Sequence, residues 1–350
     1  MELVVVRSTD GHRLSGAGPI TEVANAYLDH LRARAFSPAT VRSYAFDLLN
    51  FSRFLDERSV SMGDIVPTDF FDYLDWQAKP KSRSHEAKVV RLGDRRGAAP
   101  ATVNRRIAAV RGLFEYAVIS GLREKNPVPA PRRTTGLRSR PQGLLGHLGT
   151  RHPRTGGRLV RQPRRLPESL EPAEVASFIS DLYTHRDRAM ALAMLLGGLR
   201  SAEVRSLLLA DVDVGMRQVK VFGKGSRQRV VPIDRVFFSE CVAYLRTERP
   251  PGLVTPECFV VLRGPTAGNP LSEAGLRRIF RTHRARSGAT RVRPHRLRHT
   301  YGTELAAAGI DLLALRELMG HASPETTAAY VHLSPSALAA EYARVREGAR

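Results

Sequence analysis

Apolar residues in the first third of the chain recur three and four positions apart, which is the period of an amphipathic helix. One stripe follows Ser37 and Pro38, which are typical of a helix N-cap and a first helical turn. Another follows Ala99 and Pro100, and residues 67–76 carry a third helical pattern. We therefore predict a bundle of four helices over residues 19–130. The two clearest stripes are Val41, Tyr44, Leu48, Phe51 and Leu55, and Val103, Ile107, Val110, Phe114 and Ala117.

Two segments lack any such period. Residues 1–18 contain three glycines and no apolar stripe, which predicts a loose N-terminal arm. Residues 131–166 contain ten arginines, no acidic residue and several prolines and glycines. A segment of this composition cannot bury enough apolar surface to fold alone, so we predict a flexible, basic linker.

The pattern changes again in the second half of the chain. Helical patterns cover residues 172–179 and 189–199, and residues 219–232 hold two strand-like runs joined by a glycine-rich turn. Helical patterns then return and continue to the end. We predict a second domain over residues 167–342, with a C-terminal tail over residues 343–350. The fold class is mainly α with a small β-hairpin or sheet, in two domains.

Composition restricts the partner. The formal net charge is +21 and the pI is about 11.0, which favours a polyanion such as nucleic acid. A GC-rich coding sequence would raise the arginine share as well, but it does not explain the excess of basic over acidic residues. Only two cysteines occur, so neither a disulfide framework nor a zinc ribbon is indicated. No apolar run is long enough to span a bilayer, and we expect a cytoplasmic protein associated with the nucleoid.

Several residue types in the second half suit attack on a phosphodiester. Arg200 and Arg298 offer planar guanidinium groups for the non-bridging oxygens of a phosphate. Tyr330 is the candidate nucleophile, and its phenol, with a pKa of about 10, needs a proton acceptor near pH 7. His295 is the candidate acceptor. Lys224, at the hairpin turn, is the candidate acid that protonates the departing 5′ oxygen.

Supporting roles and simpler alternatives accompany this set. Glu203 lies one helical turn after Arg200 and is placed to hold it. Gly320 ends an apolar helical stripe, so His321 can be part of a helix cap as well as a site residue. His295 and His299 have the spacing of a zinc pair, but no His-Glu-x-x-His motif and no third ligand are nearby. We expect no metal and no cofactor.

The order of Arg200, Lys224, His295, Arg298, His321 and Tyr330 resembles that of the tyrosine recombinase family, which includes phage integrases and Xer-type enzymes. The resemblance covers roughly residues 19–342 and implies strand cleavage through a 3′-phosphotyrosine, with His321 orienting the reacting groups. It also implies a SAM-like core-binding domain before a catalytic domain. Double-stranded DNA is the expected partner, and candidate contacts are Arg105, Arg106, Arg111 and Arg227. The expected assembly is a homotetramer, or a pairing with a related recombinase, that forms a Holliday junction.

The biological role stays open between two interpretations. The basic linker is longer than is usual in the family, which favours a mobile-element integrase or transposase. Xer-type resolution of chromosome or plasmid dimers uses the same residues and is the alternative. From other classes, a non-catalytic DNA-binding protein on the same fold would leave the six reactive residues unexplained. A type IB topoisomerase would have no need of the C-terminal tail. An RNA-binding protein would explain the positive charge but none of the candidate site residues.

Overall fold

A computed structural model describes residues 3–9, 11–79, 97–129, 159–160, 169–223, 228–321 and 327. The chain divides into two compact units, Met1–Arg164 and Arg165–Arg350. The predicted 131–166 linker lies outside the described residues except for positions 159 and 160, and the predicted tail over residues 343–350 lies outside them entirely.

The first unit is a helical bundle with a hairpin at its start. Its described helices are α1 (Thr21–Ala33), α2 (Pro38–Glu57), α3 (Asp69–Ala78) and α4 (Pro100–Ile119). Ser37 caps α2, since its hydroxyl accepts the amide of Thr40, and prolines open α2 and α4. The four helices predicted from the apolar period are confirmed for the part of the chain that the structure describes.

The prediction of a loose arm over residues 1–18 is wrong. Strands β1 (Val4–Ser8) and β2 (Gly11–Ser15) pair as an antiparallel hairpin. Leu14 is buried, and the side chain of Asn25 in α1 bonds both its backbone N–H and its C=O, each at 2.9 Å. The signal in the sequence was Asp10-Gly11, a dipeptide typical of hairpin turns, and Gly11 takes a positive φ of 120°.

Aromatic rings fill the core of this unit. Phe51 on α2 stacks on Phe70 of α3 with ring centroids 5.9 Å apart, and it meets Tyr73 edge-on at 5.0 Å. Phe114 of α4 completes the contact at 6.2 Å. These residues have almost no exposed surface, so removing one ring would leave a cavity that costs about 3–5 kcal/mol.

The second unit is mostly helical with one small sheet. Its helices are α5 (Pro172–Ser180), α6 (His185–Leu196), α7 (Ser201–Arg205), α8 (Arg235–Thr247), α9 (Glu273–Ser287), α10 (Pro294–Ala307) and α11 (Leu312–Met319). Strands β3 (Val212–Asp213), β4 (Gln218–Phe222) and β5 (Gln228–Pro232) form an antiparallel sheet in the order β3-β4-β5. The predicted fold class, mainly helical with a small β element, is confirmed.

Helix α6 lies at the centre of this unit, packed by α8 and α10, and most of its residues are buried. It begins four residues earlier than the pattern predicted, because Thr184 caps it through the amide of Asp187. It also ends before Leu199, because Gly198 takes a positive φ of 60°. No helix in the described ranges is long and apolar enough to cross a membrane.

Candidate active site

Arg298 is carried into the interior of the second unit by α10, which begins at Pro294. Only 8% of the residue is exposed, and its guanidinium donates to the backbone oxygens of Gly198 and Met319. The arginine therefore joins the end of α6 to the end of α11. A buried guanidinium has to be hydrogen-bonded to be tolerated, and these two carbonyls provide part of that requirement.

Arg200 reaches the same place from the N-terminus of α7. Its Nη2 donates to the oxygen of Gly320 at 2.7 Å, and its Nη1 donates to Glu203 at 2.7 Å. Gly198 makes the close turn before it possible, because a Cβ there would lie 2.4 Å from the ring of Tyr301. The side chain of Arg200 stays 37% exposed, so part of its guanidinium faces solvent beside the buried Arg298.

Glu203 holds Arg200 in place, as the three-residue spacing had suggested. One carboxylate oxygen accepts the backbone N–H of Arg200 at 2.8 Å and the other accepts its side chain. Burial alone would raise the pKa of Glu203, but hydrogen bonds from Arg229 and Arg200 outweigh it and lower the pKa to about 2. The carboxylate is therefore charged at any pH at which the protein would work.

Arg229 is a site residue that the sequence reasoning missed. It lies on β5, buried, and donates to both oxygens of Glu203 at 2.9 Å while its Nε donates to the oxygen of Leu318 at 2.9 Å. Its position in the alternating pattern of the strand could have revealed it. Along β5, Arg229 and Val231 are buried and alternate with exposed residues. A charged residue at an inward position of a strand predicts a buried partner.

Three arginines thus bind three consecutive carbonyls at the end of α11. Arg229 binds that of Leu318, Arg298 that of Met319 and Arg200 that of Gly320. The last carbonyls of a helix have no partner within the helix and carry the negative end of its dipole, so cations stabilise them. Gly320 ends α11 in the left-handed conformation, and a Cβ on it would lie 2.8 Å from Arg229.

His321 follows directly on this cap. Its backbone N–H donates to the oxygen of Arg316, and its Nδ1 lies 2.9 Å from the hydroxyl of Thr327. Burial, together with the charges of Arg298 and Arg200, lowers the pKa of His321 to about 4. A neutral imidazole at pH 7 keeps one N–H, which can donate a hydrogen bond to a phosphate oxygen, but it lacks the second proton that an imidazolium could transfer.

His295 and His299 lie one turn apart on α10. Burial lowers the pKa of His295, and the charges of Arg293 and Arg296 add to the effect. Burial and the neighbouring His295 lower that of His299 in the same way. Neutral imidazole is the form that can accept a proton. Among the described residues no three His, Cys, Asp or Glu side chains are grouped as a metal site would need.

The remaining predicted residues are three that the structure does not describe and three arginines on α4. Lys224, Arg227 and Tyr330 lie outside the described residues, with Lys224 and Arg227 falling in sequence between β4 and β5. The described part of the candidate site therefore consists of Arg200 and Arg298 with two histidines, His295 and His321, whose lowered pKa values favour the neutral form.

The three arginines predicted on α4 each have a partner within the first unit. Arg105 donates to Asp47 at 2.7 Å, Arg106 to Gln77 at 3.0 Å and Arg111 to the oxygen of Pro129 at 3.0 Å. The side chain of Arg105 is still 45% exposed, whereas that of Arg106 is 21% exposed. Their contact with DNA stays a prediction, and exposure favours Arg105.

In the second unit, arginines are gathered beside histidines whose lowered pKa values favour the neutral form, which suits the binding of a phosphodiester. Sequence profiles agree: that of the phage integrase N-terminal SAM-like domain matches residues 24–121, and that of the phage integrase family matches residues 168–337. The chain belongs to the phage integrase family. It is an enzyme, a tyrosine recombinase.

Named relatives extend along nearly the whole chain. Tyrosine recombinase XerD of Mycobacterium tuberculosis is 30% identical over 339 residues, which cover 93% of this chain and 97% of the relative. Tyrosine recombinase XerC of Chromohalobacter salexigens is 30% identical over 320 residues, with 90% and 92% covered. The relatives thus span both units.

Solved structures share the fold. XerH bound to a palindromic difH substrate superimposes with a TM-score of 0.61 at 21% identity, covering 90% of this chain and 82% of that one. The Tn1549 transposon integrase in complex with transposon right end DNA gives 0.62 at 18% identity, with 93% and 99% covered.

Proposed function

We propose that this recombinase cleaves and rejoins DNA strands through Tyr330. The phenol oxygen attacks the phosphorus, the bond from phosphorus to the 5′ oxygen breaks, and a 3′-phosphotyrosine and a free 5′ hydroxyl result. The phenolic proton passes to His295, and Lys224 gives a proton to the departing oxygen. Attack by the 5′ hydroxyl of another strand reverses the step, so rejoining needs no external energy source.

The observation that carries this proposal is the convergence of Arg200 and Arg298 on the end of α11. Both guanidiniums are held there by protein carbonyls, and Arg200 keeps part of its donor edge open to solvent. Two fixed cations beside one another suit the charge that develops on the non-bridging oxygens of the phosphate. His321, neutral and tied to Thr327, would orient the phosphate.

DNA is the proposed substrate, and two paired sites are the proposed assembly. The net charge of +21 supports a polyanionic partner, and the structural neighbours named above are complexes with DNA. We propose that four subunits, or pairs with a related recombinase, exchange strands through a Holliday junction on DNA in the cytoplasm. Arg105 and Arg227 are proposed contacts to the duplex.

For the biological role we propose two candidates, each with one supporting observation. Xer-type resolution of chromosome or plasmid dimers is supported by relatives named XerC and XerD that match over 90% or more of this chain. Integration or transposition of a mobile element is supported by the length and charge of residues 131–166. The first rests on sequence similarity over both units and carries more weight.

Covalent trapping on nicked suicide substrates tests the reaction and the role together. One duplex set would come from DNA that flanks this gene and another from the region where the chromosome's replication ends. An adduct at the 3′ phosphate that resists denaturation and is lost in Tyr330→Phe is expected. Reaction with the first set supports a mobile element, and reaction with the second supports dimer resolution. Tight binding to either set without an adduct would contradict the proposed chemistry.

A further inference from the structure

Residues 159 and 160 lie within the basic segment predicted as a linker, residues 131–166, and both pack on the helical bundle of the first unit. The side-chain amide of Asn104 on α4 donates to the oxygen of Val160 at 2.9 Å and accepts its N–H at 3.1 Å. Leu159 and Val160 are half-buried against the aromatic core. Leu159 also lines a groove of about 560 Å³ between α1 and α4, beside Tyr27 and Tyr116.

The first unit contains a second contact in which an asparagine side chain binds the backbone of one residue. Asn25 bonds both backbone groups of Leu14 and so fixes the N-terminal hairpin on α1. A side-chain amide can bond both the N–H and the C=O of one residue, and it then makes the hydrogen bonds that a neighbouring strand would otherwise make. In each case an apolar side chain from the bound segment joins the core. The contact at Val160 is therefore built as an attachment and includes both polar and apolar components.

The preceding end of the basic segment is attached to the same helix. Val128 is buried, and the guanidinium of Arg111 donates to the oxygen of Pro129 at 3.0 Å. Asn104 and Arg111 are seven residues apart, so they lie on one face of α4, about 10 Å apart along its axis. Pro129 and Val160 are thus both attached to one face of one helix.

The next attachment belongs to the second unit. The backbone N–H of Leu170 donates to the hydroxyl of Thr300 on α10 at 3.0 Å, and Leu170 is buried in that core. From Val160 to Leu170 a fully extended chain spans about 35 Å. From Pro129 to Leu170 an extended chain would span about 140 Å if no residue between them were attached to the first unit.

We infer that Asn104, Leu159 and Val160 form a clasp that fixes the basic segment to the first unit at Val160, so that only residues 161–169 connect this attachment to that of Leu170 in the second unit. The partner of the α4 face is thus a segment of this same chain. Insertions or deletions between Pro129 and Leu159 would leave the reach of the connection unchanged. The length of residues 131–166 then ceases to distinguish this chain from a recombinase with a short interdomain linker.

Hydrogen exchange resolved to single amides tests the clasp in the full chain. The amide of Val160 should exchange at least tenfold more slowly than an unprotected amide of the same sequence. Asn104→Leu should abolish this protection, whereas deletion of residues 135–154 should leave it in place. Exchange of Val160 at the unprotected rate in the unaltered chain would overturn the inference. The amide of Leu14, held by Asn25, serves as an internal control that the first unit stays folded in each variant.

Pulsed electron paramagnetic resonance tests the consequence. Spin labels at Leu122→Cys and Val254→Cys, both exposed positions, report one unit each, and the natural Cys241 and Cys258 are buried. Deletion of residues 135–154 should leave the distance distribution unchanged. Val160→Pro, which removes the clasped N–H, should broaden it, and Val160→Ala should not. If the deletion shortens the distances and Val160→Pro has no effect, the whole segment is a free tether and the clasp is refuted.

Discussion

Arg229 and Glu203 face each other as a buried, two-pronged ion pair, with both N–H···O distances at 2.9 Å. The pair joins strand β5, which follows Lys224 in the sequence, to helix α7, at whose N-terminus Arg200 lies. The Nε of the same guanidinium binds the end of α11. One side chain therefore sets the positions of three elements that supply site residues.

Removing Arg229 should destabilise the second unit and slow DNA cleavage. Arg229→Ala leaves the carboxylate of Glu203 buried with one partner, which costs about 3–5 kcal/mol of unfolding free energy. Calorimetry of the full chain would measure the change. Fluorescence of Trp76, the single tryptophan, reports the first unit and should keep its transition. Unchanged calorimetric stability would show that the pair does not have the structural role assigned to it.

The double variant Arg229→Met with Glu203→Leu separates charge from position. It removes both charges together, so stability should recover from that of Arg229→Ala toward that of the unaltered chain. Cleavage should stay slow, because Glu203 no longer fixes the position of Arg200. Recovery of cleavage to the original rate would mean that Arg200 keeps its position without Glu203. The rate of adduct formation on a suicide substrate gives the readout.

Gly320→Ala tests the close approach at the end of α11. The glycine has a φ of 59°, and an added Cβ would lie 2.8 Å from Nη1 of Arg229. Gly309→Ala is the matched control, since Gly309 has a φ of 83° with nothing within 4 Å of an added Cβ. Backbone strain of about 1–3 kcal/mol should appear in both variants. Loss of cleavage, by about 100-fold, should appear at Gly320 only. Equal losses in both would indicate strain alone.

Glu203 should make stability depend on acid pH. Its pKa is near 4.5 when unfolded and about 2 when folded, so its contribution is complete above pH 5 and disappears as pH falls toward 2. The contribution is about 3 kcal/mol. Glu203→Gln should remove this part of the pH dependence, and denaturation curves between pH 2 and pH 6 would measure it. The same dependence of stability on pH in the unaltered chain and in Glu203→Gln would contradict the lowered pKa of Glu203.

Lys224 should matter less when the leaving group needs no proton. Substitution by methionine should slow cleavage strongly on ordinary DNA and much less on DNA whose bridging 5′ oxygen is replaced by sulfur, because a thiolate leaves unprotonated. Lys220→Met is the control, since that side chain lies on β4 at an exposed position. Equal slowing on both substrates would remove Lys224 from the role of acid.

Much of the architecture was predictable because it rests on periodic patterns. The stripes at Val41 and Val103 gave α2 and α4, and the glycine-rich run after Phe222 gave the β4 and β5 strands. The N-terminal hairpin was missed because its strands are short and mostly polar outside Val4–Val6, so only the Asp10-Gly11 turn marked it. Local patterns predict elements best where they repeat several times.

The candidate site was predictable only in its residue types. Arg200, Glu203, Arg298 and His321 come together in the second unit, but nothing in their spacing reveals that their shared support is the end of α11. Arg229 was missed because a single inward charge on a strand carries no motif. Contacts between residues nearly a hundred positions apart, such as Arg229 with Leu318, depend on the tertiary fold.

The arginine-bound cap at Gly320 also gives Tyr330, the proposed nucleophile, a fixed origin, because His321 follows the cap directly and its Nδ1 lies 2.9 Å from the hydroxyl of Thr327. Tyr330 stands three residues beyond Thr327, so the Cα of Tyr330 lies within about 11 Å of the Cα of Thr327. Adding residues between positions 328 and 330 would change this distance while leaving Arg200 and Arg298, the arginines proposed to bind the phosphate, as they are. Reach toward a target bond and recognition of its charge are therefore separate, individually adjustable properties of the enzyme.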